Sequence, residues 1–262
     1  MHTKDSLKAD LKALGLKETD FVLVHSSLKS IGEVEGRADA VLSAMEEYLS
    51  GGLVILPTLS WSAVNDKQPV YSVRDTPSSV GALTEIFRKR PGVFRSLHPT
   101  HSLAAKGPRA AEFVAGHEKF DSPAHKDSPW GRLYTWGAKI MFIGTGQINC
   151  NTFLHGVEEW LPVPGMLTET HQELVVFDEK GNRFEVPSRR HQGAHSRWYH
   201  LLEKEYREAG AVTEGVFGSA KVVILDAVKV GDITFEVLKK EPRFFTDDYQ
   251  YPLHPEMAAA RR

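Results

Sequence analysis

In CNTFLHGVEEWLPVP, residues 150–164, an imidazole and a carboxylate stand three apart, His155 and Glu158. On an α-helix that spacing puts both on one face. A carboxylate beside an imidazole fixes its tautomer and raises its basicity, so the other ring nitrogen can take a proton from a substrate. Thr152 lies one turn earlier, where its hydroxyl can cap the helix or face the same site. A helix start carries partial positive charge, which favours an anion or a developing oxyanion. Pro162 and Pro164 close the segment almost at once. The same residues also fit a surface ion pair worth under about 1 kcal/mol. Cys150 offers a thiol near His155, although lone cysteines are usually buried and inert.

Two further stretches are dense in polar side chains. HSSLKSIG, residues 25–32, follows an apolar run, and Ser26 and Ser27 can hydrogen-bond phosphate or amide groups there. It is neither a Walker loop nor GxGxxG. In 94-FRSLHPTHSLAAKG-107, Arg95 can pair with an anion, and Ser96 and Ser102 can hydrogen-bond it. His98 and His101 stand three apart across Pro99, which suggests an irregular loop; two such histidines could be half of a metal site, although loop histidines are more often packed or solvated. The other half is missing from the sequence: HExxH is absent, and one cysteine excludes a thiolate zinc pattern.

The elements that must position these groups alternate. Leu7, Leu11 and Leu14 predict a helix over 5–14, with Gly15 as its stop. The runs 21–25, 53–56, 139–144 and 222–227 read as buried strands. Helices are expected at 38–49, from Thr76-Pro77 to about Lys89, at 196–208 and at 231–242. Residues 172–186 read as a hairpin turning at Lys180-Gly181-Asn182. Short buried strands spaced by helices argue α/β with an inserted antiparallel piece. No linker cuts the chain, so 1–262 reads as one unit, its tail over 246–262 loose or a dimer arm.

Composition narrows the classes. The net charge of -2, with no long run of one sign, argues against nucleic acid as a partner. The longest apolar runs are too short for a bilayer, and the amphipathic N-terminus has no signal-peptide core. With one cysteine no internal disulfide forms, and the expected location is cytoplasmic.

VHSSLKSIG, GGLVILPTLS, TPSSVGALTEIFRKRPGVFRSLHPTHSLAAKG, DSPWGRL, IMFIGTGQINCNTFLHGVEEW, RRHQGAHSRW and EGVFGSA occur in that order. The set resembles the aminoglycoside 3-N-acetyltransferase family over roughly residues 5–245. The resemblance implies a three-layer α/β/α fold, with a mostly parallel central sheet and an inserted antiparallel hairpin. That fold differs from the common acetyltransferase superfamily, whose pyrophosphate loop 190-RHQGAH-195 only nearly matches.

The resemblance also implies acetyl-CoA as donor, a small-molecule amine such as an aminoglycoside as acceptor, no metal, no membrane partner, and a monomer or homodimer. It makes His155 the base of a TxxHxxE pattern, with Thr152 and Glu158 as companions. Ser26, Ser27, Leu28, Arg95, Ser96 and Ser102 become coenzyme contacts. Asp66, Glu159 and His191 become acceptor contacts. Direct transfer is the expected route. Arg189, Arg190 and Arg197 would repel a polycation if they faced the acceptor. A non-aminoglycoside amine, a metal-dependent hydrolase built from His98, His101, His155, His171, His191 and His195, and a CoA-binding protein without catalysis stay open.

Overall fold

Alternation along the central strands decides which helices lie on which side. The computed structural model describes residues 1–145, 148, 151–161, 163–193, 195–250 and 257. Cys150, Pro162, Ala194 and most of the tail beyond Gln250 lie outside the described residues. Seven strands form the main sheet: β1 (Phe21–Ser26), β2 (Leu53–Pro57), β4 (Phe94–Arg95), β5 (Leu103–Lys106), β6 (Lys139–Ile143), β9 (Val212–Phe217) and β10 (Ala220–Asp226). Their order is β4-β5-β2-β1-β6-β10-β9. β1 pairs parallel with both β2 and β6, and the other pairings are antiparallel. Five of the seven strands therefore run in one direction, with β5 and β10 opposed.

Successive side chains of a strand point to opposite faces. Val22, Val24, Val54, Leu56 and Met141 pack on one face with α1 (Lys4–Ala13), α2 (Arg37–Tyr48) and α3 (Ala82–Phe87). Leu23, Leu53, Ile55, Ile140 and Phe142 meet α4 (Ala110–Val114), α5 (Pro129–Thr135), α6 (Thr152–Glu159) and α8 (Ala227–Lys240) on the other. A sheet covered on both faces makes three layers, as expected. The hairpin is β7 (Val175–Phe177) and β8 (Arg183–Glu185), and β3 (Val70–Ser72) joins β7 in parallel to complete a small mixed sheet. Among the described residues no helix is long and apolar enough to cross a membrane.

Three expectations change. The helix predicted from Thr76 begins only at Ala82. The Thr76 hydroxyl accepts from Ser72 N–H behind it, at 2.8 Å, and so closes a turn rather than capping a helix. Residues 196–208 split into a 3-10 helix, His195–Leu202, and α7 (Glu203–Glu208). The loop predicted over 94–107 is bracketed by β4 and β5, with Arg95 opposite Ala104.

β1 and β6 end side by side, Ser26 opposite Ile143. In open α/β sheets ligands bind beyond such carboxyl ends. The chain leaves β6 toward α6, which brings His155 to that edge. On the same face, α5 passes so close to Lys126 that a Cβ on Gly131 would lie 1.7 Å from its carbonyl oxygen. Gly131→Ala should therefore cost at least about 1–3 kcal/mol through overpacking, read as a lower midpoint of urea unfolding. An unchanged midpoint would contradict this packing.

Candidate active site

α6 starts at a capped turn. The Asn151 side-chain Oδ1 accepts from Phe153 N–H at 3.2 Å. The cap is thus Asn151, and Thr152 is the first helical residue. Both line a cavity of about 360 Å³ together with His155, with His25 and Ser26 from the end of β1, and with Thr145 beyond β6. Pro57, Leu59 and Val80 give it an apolar side.

His155 and Glu158 share a face of α6, but a tyrosine stands between them. Tyr199, in the 3-10 helix, donates its O–H to Glu158 Oε2 and lies 2.6 Å from His155 Nδ1. Direct contact between His155 Nδ1 and Glu158 is longer, 3.5 Å. A phenol has one proton to give. Because it goes to the carboxylate, His155 Nδ1 must carry the hydrogen and donate to the phenol oxygen. The lone pair is then on Nε2. His195 Nδ1 donates to Glu158 Oε1 at 2.6 Å, so both carboxylate oxygens of this fully buried group are engaged.

The electrostatics follow from burial. Burial alone would push the Glu158 pKa up, but the hydrogen bonds and charges of His155 and His195 outweigh it and hold the carboxyl below the usual range. Burial pushes the His155 pKa down, and Glu158 opposes this without cancelling it. Loss of hydration therefore outweighs the basicity that the sequence spacing suggested. Burial, and then Glu158, push the Tyr199 phenol far up, so it stays protonated. Burial pushes His25 down to about 4; its ring stacks on Phe142 at 5.0 Å.

A family profile described as aminoglycoside 3-N-acetyltransferase matches residues 23–239. The chain belongs to that family. It is 26% identical over 260 residues to aminoglycoside N(3)-acetyltransferase VII of Streptomyces paromomycinus, covering 88% of this chain and 89% of that protein. The crystal structure of YokD from Bacillus subtilis superposes with a TM-score of 0.80 at 26% identity, covering 92% of this chain and 94% of YokD. A structure of AAC-IIIb with CoASH shares the fold, with a TM-score of 0.79 at 24% identity over 91% of this chain and 96% of that one.

Within this member of the aminoglycoside 3-N-acetyltransferase family, the expected site residues separate. Thr152, His155 and Ser26 line the cavity, with Glu158 behind His155. Ser27 accepts from Ser30 Oγ at 2.9 Å, and Leu28 packs toward the α1–α2 side. His191 stacks on His155 at 4.8 Å between ring centroids and is bonded to Glu159, which also accepts from Ala124 N–H at 2.8 Å. Asp66 is exposed and accepts from Gln172 Nε2 at 2.6 Å.

Arg95, Ser96 and Ser102 do not join the cavity wall. Arg95 is buried and donates to the main-chain oxygens of Thr58, Val73 and Thr76 at 2.8, 3.2 and 2.6 Å, and to the Thr58 and Ser102 hydroxyls. Ser96 bonds His117 Nδ1 at 2.9 Å, and Ser102 donates to the Thr58 carbonyl at 2.8 Å. The cluster sews β2, β4 and β5 together. The polar side-chain atoms expected to contact the coenzyme at these three positions have partners inside the protein.

No residue pattern pointed to Tyr199, and His195 figured only among possible metal ligands. Four other imidazoles form a packed file: His191 against His101 at 5.0 Å, His101 against His98 at 6.2 Å, and His98 against His117 at 4.6 Å, while His171 bonds Asp121 at 2.8 Å. Burial pushes His98, His101 and His117 down, so they pack as neutral rings. Among the described residues no three His, Cys, Asp or Glu side chains are placed to hold a metal ion. The arginines are partnered: Arg189 with Asp121 at 3.1 Å, Arg190 with the Val64 carbonyl at 2.5 Å, and Arg197 with Asp247 at 3.9 Å.

Arg95→Lys removes most of the buried fork and leaves acceptors unpaired. It should lower the unfolding midpoint while CoA affinity, measured calorimetrically on the folded protein, holds. A selective loss of CoA affinity at unchanged stability would return Arg95 to the coenzyme.

Proposed function

We propose that this chain transfers an acetyl group from acetyl-CoA directly to an amine, with His155 as general base. The observation that carries the reading is the Glu158–Tyr199–His155 chain, which leaves the Nε2 lone pair on a residue of the cavity wall. The family and its CoASH-bound relative support acetyl-CoA as donor. Ser26, at the cavity wall, is the coenzyme contact best supported by position. Thr152, beside the base, is well placed to help hold the acyl group.

A simple alkyl ammonium has a pKa of about 10 and no free lone pair while protonated. The free-base form of the amine attacks the thioester carbon through its lone pair, and His155 Nε2 accepts the proton that N–C bond formation makes acidic. The imidazolium formed is stabilised by Glu158 through Tyr199. The thiolate of CoA leaves, and no protein nucleophile is required.

The names of the relatives make aminoglycosides the first acceptors to test. Carboxylates beside Arg189 and Arg197 weaken the objection that these two would repel a polycation, whereas Arg190 bonds neutral acceptors and keeps its charge. His191 and Glu159, stacked beside the base, are the acceptor-side groups best supported by position. Asp66 lacks a comparable contact with the base and carries less of the proposal.

Thiol release from acetyl-CoA should be followed across aminoglycosides and simple amines. His155→Ala should lower kcat/KM by about 10²–10⁴-fold with CoA binding retained. A near-normal rate would remove His155 from the role of base.

The pH profile tests the same assignment. Because burial lowers the pKa of the free-enzyme base, the acidic limb of kcat/KM should fall below the ordinary imidazole value of about 6.5. A limb above that value, or no limb, would count against His155 as a partly buried base.

A further inference from the structure

Four of the residues that line the cavity each carry a buried side-chain atom with no hydrogen-bond partner among the described residues: His25 Nε2, Ser26 Oγ, Thr145 Oγ1 and Asn151 Nδ2. Buried polar groups are normally satisfied, and each one left alone costs about 1–3 kcal/mol. Four around one cavity describe a surface made to be completed by a ligand.

Asn151 differs from the other three. Its Oδ1 accepts from Phe153 N–H, so the amide cannot be turned over without breaking the α6 cap. Nδ2 is therefore fixed toward the remaining side, and an amide nitrogen only donates. The hydroxyls of Ser26 and Thr145 can rotate and either donate or accept. Asn151 is itself 1% exposed, at the positive end of an eight-residue helix that carries the general base one turn on. The chemistry that satisfies a fixed, desolvated donor there is an oxygen that gains negative charge.

We infer that the Asn151 side-chain amide binds the carbonyl oxygen of the acyl group and stabilises its oxyanion, an assignment that rests on the acetyl-transfer reading above. The amine lone pair forms the N–C bond while the carbonyl π pair moves onto oxygen, where Asn151 Nδ2 donates. His155 takes the ammonium proton. The oxygen pair then re-forms C=O, the C–S bond breaks with its electrons on sulfur, and the thiolate takes a proton. N-acetyl amine and CoA thiol result.

Asn151→Asp and Asn151→Ser both keep an oxygen for the cap, and both remove the amide donor. With acetyl-CoA and the best amine of the panel, each should lose about 10²–10³-fold in kcat, as when one oxyanion donor is removed. Free CoA, which lacks the acyl oxygen, should bind the Ser variant with wild-type affinity, and its Tm should hold; the Asp variant buries a carboxylate and is read through kcat alone. The acidic limb of kcat/KM should stay in place for the Ser variant, which adds no charge.

A kcat within about threefold of wild type, or CoA affinity falling in step with kcat, would overturn the assignment. If one variant fails to fold, the other decides. If His155→Ala is inactive while both Asn151 variants stay fast, only the donor role falls. If the wild-type protein acetylates no amine, the acetyl-transfer reading fails and takes this one with it.

Discussion

Everything at the site depends on satisfying one carboxylate. Glu158 has no solvent exposure, and an unpaired buried carboxylate would be expensive enough to protonate or to prevent folding. Its partners, Tyr199 and His195, come from a 3-10 helix some forty residues away in sequence. Seating the charge therefore docks that helix on α6. The docking fixes the phenol, the phenol fixes the proton on His155 Nδ1, and the opposite nitrogen keeps its lone pair. One electrostatic requirement sets tertiary contact and tautomer together and, in the proposed reaction, the direction of proton transfer.

Polar clusters elsewhere show what the alternative looks like. Around Arg95, donors and acceptors match, and the cluster fastens strands to each other. Around the cavity, donors and acceptors are left over. Both are rich in serine and histidine, and both follow strand ends. Satisfaction rather than composition separates a buried brace from a binding wall. It is also why the brace can sit next to the site: it holds β2, β4 and β5 in register while leaving the ends of β1 and β6 open.

Local features were legible in the sequence, and the three-residue spacing of His155 and Glu158 is one of them. The layers were legible as well, because 21–25, 53–56 and 139–144 are apolar runs that only a covered sheet can bury. What stayed hidden depends on contacts distant in sequence. Tyr199 looks like any aromatic residue until its hydroxyl is seen at the carboxylate. Thr76-Pro77 satisfies the local rule for a helix start, yet the threonine closes a turn with Ser72. RSLHPTHS has the polar density of a ligand loop, and only the carbonyls of Thr58, Val73 and Thr76 reveal that its arginine is used internally.

Partial burial of the proposed base, His155, raises a real conflict, and the geometry answers it. A desolvated imidazole is more often neutral at pH 7, which favours its use as a base, but it is intrinsically weaker. The same desolvation strengthens its coupling to Glu158, since charges interact more strongly where water is excluded. The weakness therefore belongs mainly to the resting state. Once the proton arrives, a cation forms next to an anion already held by two other donors, and little has to reorganise. The phenol between them lengthens the path while preserving the charge relation, because Tyr199 stays protonated throughout. A direct ion pair would raise the resting pKa further and leave more of the base already protonated. Placing a neutral hydroxyl between the two gives the proposed base a free lone pair at neutral pH and a stabilised cation in the proposed transfer.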